Sequence, residues 1–176
     1  MAAASSANGF TLTEVLVATC ILAAGAVGAA NLQAQAMRIA RSCGQRDSAL
    51  QLAGELAEQL RAAASALPDD SDNPWLTLDY HADTDPAPES DGTCYRDSCG
   101  AREQARFDLG EWQARLRTAL PGARVLVCRD ATPWDATAGA YAWTCRADPA
   151  DPLVVKIGWP GASRNVDAPA LVLSVP

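Results

Sequence analysis

Apolar residues crowd the first forty positions of this chain, and their spacing changes three times along it. From Phe10 to Ala30 they are nearly continuous, FTLTEVLVATCILAAGAVGAA. A helix of that length rises about 31 Å, close to the roughly 30 Å hydrocarbon thickness of a bilayer. From Arg38 the run gives way to a three-four pattern. Leu50, Ala53, Leu56, Ala57, Leu60, Ala64 and Leu67 fall on one stripe, with Glu55, Glu58, Gln59 and Arg61 off it. This predicts one long helix: a membrane-spanning half over residues 10–37 and an amphipathic half over 38–67. The second half lays its apolar face on a head, Gly44 softens the junction, and Pro68 stops the helix.

Residues 68–92 break the pattern, with eight acids, four prolines and no Lys or Arg. Clustered carboxylates attract hard cations, but the calcium-loop spacing is absent and DDSDN runs into Pro74, so a solvated loop is expected. Trp75, Leu76 and Leu78 are expected to pin part of it to the head. Further on, Asp108 is placed to cap a second helix, with Leu109, Trp112, Leu116 and Leu120 as its apolar face and Pro121-Gly122 as its stop. Four strand-like runs follow, ARVLVCR, AYAWTCR, LVVKIGW and ALVLSV, each bounded by turn residues. They predict an antiparallel meander. The expected fold class is α+β, a long N-terminal helix packed on a small antiparallel sheet, with the head occupying residues 68–176.

One residue disturbs the apolar run. Glu14 places a carboxylate inside a span where a charge costs roughly 2.5–3.5 kcal/mol at the centre. It follows a Gly9-Phe10 step, and the stretch GFTLTEVLVA is very similar to the prepilin N-terminus of type IV pilins and type II secretion pseudopilins. The resemblance implies a leader peptide over residues 1–9, cleavage between Gly9 and Phe10 by a prepilin peptidase, N-methylation of Phe10, and an assembly role for Glu14. It also makes physical sense of the acid. Cleavage creates an α-amino group that is largely cationic at neutral pH, and a buried charge is tolerable only beside a partner. An amine from a neighbouring subunit would pair with Glu14 and set the register of packed helices. Ala24 with Gly28, and Gly25 with Ala29, add small-x-x-x-small pairs that allow close helix approach, although an Ala-rich chain produces such pairs readily.

The leader MAAASSANG lacks the basic residues usual in the family, and Arg38, Arg41 and Arg46 follow the span. A charge count alone would put that side in the cytoplasm. The family's processing puts the head in the periplasm, and that orientation is taken here. LAGELAEQLRA, FDLGEWQARLRTALPGARVLVCRD and LVVKIGW further resemble the PilV-type minor pilins of the type IV pilus. This implies a single-pass protein of the bacterial inner membrane that passes into the pilus. Its partners would be other minor and major pilins, the prepilin peptidase/methylase and the inner-membrane assembly platform. It would prime or support assembly near the tip. A minor pseudopilin of a type II secretion system is the alternative with the same N-terminus.

Charge and chemistry narrow the remaining classes. A net charge of -7 opposes a phosphate-binding surface, so no nucleic-acid partner is expected. With a single His and no Ser-His-Asp set, metal triad or phosphate loop, no catalytic residue, metal or cofactor is assigned. Six cysteines beyond or within a membrane-crossing start suit an oxidising compartment. Cys94 and Cys99 flank the tight TCYRDSCG loop, and Cys128 and Cys145 lie in consecutive strand-like runs. Disulfides Cys94–Cys99 and Cys128–Cys145 are favoured over a zinc site, while four cysteines admit three pairings. Cys20 is a small apolar side chain of the span. Cys43, placed on the apolar side of the helix, is either a buried thiol or a partner that reshuffles the scheme.

Overall fold

The computed structural model describes residue 9 and residues 11–66, 73–88, 93–146, 148–162 and 168–175. The chain divides into two compact units, Met1–Arg41 and Ser42–Pro176.

In the first unit every described residue is helical beyond Thr11 and exposed, as an apolar helix without neighbours must be. It belongs to α1 (Leu12–Ala66), which is long and apolar enough from Leu12 onward to cross a membrane. An added Cβ at Gly25 or Gly28 would touch nothing, so both positions are open on the helix surface.

In the second unit the last part of α1 is one wall of the core. The buried stripe is Ala49, Leu52, Ala53, Leu56, Ala57, Leu60 and Ala63. It differs from the predicted stripe at its start, because Leu50 is 51% exposed and Ala49 and Leu52 take its place. The 3.6-residue period explains the difference. Leu50 lies about 100° around the helix from Ala49 and more than half a turn from Leu52, and those two align with Leu56 and Ala63. Ala64's side chain, Leu67 and Pro68 lie outside the described residues, so the predicted end of the stripe and its stop do too.

The second helix, α2 (Ala101–Ala119), starts seven residues before the expected cap at Asp108. Gly100 is the N-cap, and the Glu103 carboxylate accepts from its N–H at 3.0 Å, one half of a capping box. Asp108 sits mid-helix, where it accepts from Gln104 Nε2 at 2.8 Å. The predicted apolar face is in place, with Trp112, Leu116 and Leu120 buried and Leu109 packed at its margin. The helix ends at Pro121-Gly122, where Gly122 has φ 72°, a conformation that a side chain would strain. Arg115 of α2 reaches Glu55 of α1 at 2.6 Å across the exposed seam.

Four strands form the main sheet in the order β1 (Asp79–His81), β2 (Arg124–Arg129), β5 (Leu153–Gly158), β6 (Leu171–Val175), all antiparallel. The observed architecture is thus α+β, a long N-terminal helix packed on a small antiparallel sheet. ARVLVCR, LVVKIGW and ALVLSV supply three of the strands as expected. AYAWTCR does not join them. Only Ala140–Tyr141 (β4) is a strand, and it pairs with Trp134–Asp135 (β3) in a separate two-stranded hairpin. The fourth sheet position goes to β1, drawn from the acidic stretch. Trp75 and Leu78 are buried just before it, which is how that stretch is pinned to the head.

Alternation explains how β5 can be buried along nearly its whole length. Val125, Val127, Val155 and Ile157 face the helices and join their core. Val154, Lys156 and Gly158 take the opposite face, so something must cover the back of the sheet.

Candidate functional site

The residues singled out for assembly lie in the first unit. Gly9 is exposed, and Phe10 lies outside the described residues, so the cleavage and methylation position is described on its Gly side alone. Thr11 caps α1. Its hydroxyl accepts from the Glu14 N–H at 3.3 Å, and its carbonyl accepts from the N–H groups of Glu14 and Val15 at 3.1 and 3.2 Å. Glu14 is therefore the third residue of the helix, where a carboxylate meets the positive end of the helix dipole, worth about 0.3–1 kcal/mol. T-L-T-E has the Thr-x-x-Glu spacing of a capping box. Sequence reasoning drawn to the carboxylate's cost overlooked that local role. Among the described residues no cation lies within ion-pair distance of Glu14, and its side chain is exposed.

Within the head, Cys94 is bonded to Cys99 and Cys128 to Cys145, with Cα separations of 5.5 and 6.2 Å. Cys20 is free, and so is Cys43, which is exposed rather than buried and reshuffles nothing. The apolar stripe begins at Ala49, beyond Cys43, which accounts for that correction.

Cys145 is not in a strand; its bond to Cys128 ties an irregular segment to the back of β2. Two further ties act on the same segment. Lys156 is fully buried, and its ammonium donates to Asp130 Oδ2 at 2.6 Å, to the Ala142 carbonyl at 2.8 Å and to the Thr144 carbonyl at 2.7 Å. All three ammonium hydrogens are used, and the charge is met by a carboxylate that is itself 2% exposed. Asp130 also accepts from the Thr132 N–H at 3.0 Å, which fixes its carboxylate. Next to this pair, the edge of Trp143 rests on Gly158, where an added Cβ would lie 2.9 Å from Cζ2. Residues 130–146 are thus a strap over the back face, held by a disulfide, a buried ion pair and an indole.

The strap explains why AYAWTCR is not a ladder strand: its carbonyls at 142 and 144 bond an amine instead of a neighbouring backbone. The signal available in sequence was the lone Lys inside LVVKIG, which a strand buried on both faces tolerates only with a buried acid opposite. Ring closure over a separation of 17 residues is worth about 3 kcal/mol. Cys128→Ser combined with Cys145→Ser should lower the unfolding free energy of the head by that amount, read from the urea midpoint. An unchanged midpoint would mean that the ion pair and Trp143 hold the strap alone.

Comparison with family models, curated proteins and solved structures finds no match to this chain. Among the described residues no cluster of His, Cys, Asp or Glu has the grouping that would hold a metal ion. What the molecule offers is an anchor-length helix with an exposed carboxylate in its first turn, and a separate, covalently stapled head.

Proposed function

We propose that the chain is a minor pilin of a type IV pilus. In this reading it enters the bacterial inner membrane as a prepilin, is cut between Gly9 and Phe10, and is methylated on Phe10. It is then incorporated by the assembly platform beside other minor and major pilins, priming or supporting fibre growth near the tip. It does no chemistry of its own; the peptidase acts on it. The observation that carries the reading is the GFTLTE stretch opening a helix that is long and apolar enough to cross a membrane. Two features support it. The helix passes from an all-exposed apolar stretch to a stripe that closes the core of an α+β head. Two disulfides suit a head delivered to an oxidising periplasm. A type II secretion minor pseudopilin shares the N-terminal stretch.

Intact mass and N-terminal sequencing of the protein isolated from membranes test the processing. The expected mature chain begins at a methylated Phe10. A chain beginning at Met1, or one cut beyond Ala30, overturns the proposal.

A further inference from the structure

The strap leaves part of the back of the sheet uncovered, and there a cleft of about 450 Å3 opens. Its floor is one row of residues in register across three strands: His81 beside Arg124, and Arg124 beside Gly158. Asp83, Trp143 and Trp159 form its walls. The volume falls within the roughly 300–1,000 Å3 of small-molecule sites.

The walls are held close by two glycines. At Gly158 a side chain would strike Trp143, and at Gly122 it would come within 2.9 Å of Asp83 Oδ2 and of Pro160 Cγ. Arg124 is fixed before any ligand arrives. Its Nε and Nη2 donate to the two oxygens of Asp79 at 3.0 and 2.9 Å, and its guanidinium lies 4.6 Å from the Trp143 ring centre. The cleft is therefore preorganised, which lowers the ordering cost of binding.

Its chemistry selects a ligand class. Arg124 is neutralised by Asp79, and Asp83 adds a second carboxylate, so an anion meets net negative charge. A purely apolar ligand would desolvate Asp83 and the Arg124 guanidinium. A hydroxyl suits both charged groups of the cleft. It can donate to the Asp83 carboxylate and accept from the remaining Arg124 N–H groups. Trp143 and Trp159 add indole surface for the apolar face of a ring.

We propose that this cleft is a saccharide site, taking a neutral sugar unit by stacking on indole and by hydroxyl hydrogen bonds to Asp83 and Arg124. The site lies wholly within the head and does not depend on how the chain is anchored. The test uses the full chain in an amine-oxide detergent, because a maltoside would itself present sugar. The probe is an array of neutral, sialylated and sulfated oligosaccharides, followed by saturation-transfer NMR on the best neutral one. Retention of neutral sugars is expected, with Asp83→Ala weakening binding at least tenfold at an unchanged melting temperature. Trp134→Ala, which removes an exposed indole of β3 outside the cleft, should leave binding unchanged. No retention of any neutral sugar, a preference for sialylated or sulfated ones, or binding that survives Asp83→Ala would each overturn the assignment.

Discussion

Asp130→Ala is expected to lower the unfolding free energy of the head by about 3–5 kcal/mol, the cost of leaving one partner of a buried ion pair alone. Lys156 is fully buried on β5, and Asp130 is the carboxylate that meets its charge, so the substitution leaves a buried ammonium without a counter-ion. The measurement is urea unfolding of the full chain in detergent, followed by tryptophan fluorescence. The double variant Asp130→Leu with Lys156→Met makes the argument sharper. Replacing a buried ion pair by apolar residues is often neutral or stabilising. Here the ammonium also serves the carbonyls of Ala142 and Thr144. Each carbonyl left unsatisfied costs about 1–3 kcal/mol, so the double variant should recover only part of the loss. Full recovery would mean that the strap needs packing rather than this amine. A single-variant loss below about 1 kcal/mol would mean that the pair is solvated, as exposed pairs worth that little are.

The strap also marks where the sequence was legible and where it was not. Periodicity located α1, the apolar face of α2 and three strands, because each of those elements buries one face against a common core. Leu50 was misplaced because three-four spacing alone does not choose between adjacent stripes; the sheet and α2 do that. Asp108 is a weaker start signal than Gly100 with Glu103, a cap that lies upstream beside the Cys94–Cys99 loop and has no Ser, Thr, Asp or Asn at the cap position to mark it. β1 is three residues long with one buried side chain, Tyr80, which is too short for alternation to register. AYAWTCR alternates like a strand, yet its backbone is claimed by a lysine fourteen and twelve residues away. That is a tertiary fact with no local signature. The cleft was hidden for the same reason: His81, Arg124 and Gly158 are neighbours only through register, and Trp143 only through the strap. At the other end of the chain, GFTLTE was conspicuous because a charge in an apolar run is costly whatever surrounds it.

Under the proposed function that same stretch would combine a helix cap with a docking charge, and a pair of substitutions at Glu14 separates the two. As the third residue of α1, Glu14 belongs to the Thr-x-x-Glu capping arrangement, in which Gln serves as well as Glu. As an assembly carboxylate it must be charged, because its partner would be the cationic amine of a neighbouring subunit. Glu14→Gln keeps the cap and removes the charge, so the docking role predicts that it fails nearly as badly as Glu14→Ala. An amine left unpaired in a desolvated helix bundle costs about 3–5 kcal/mol, and about 1.4 kcal/mol is a tenfold change, so incorporation into sheared fibres should fall at least about tenfold. Membrane levels should hold in both variants, because the apolar helix from Leu12 is untouched. Thr11→Ala is the complementary case. It removes the cap hydroxyl at a cost of about 1 kcal/mol and leaves the charge, so incorporation should stay within a few-fold of the parent chain. If Glu14→Gln enters fibres normally while Glu14→Ala and Thr11→Ala do not, Glu14 is a helix cap and the counter-charge model is wrong. If Glu14→Gln and Glu14→Ala both fail and Thr11→Ala does not, it is the charge that docks the subunit.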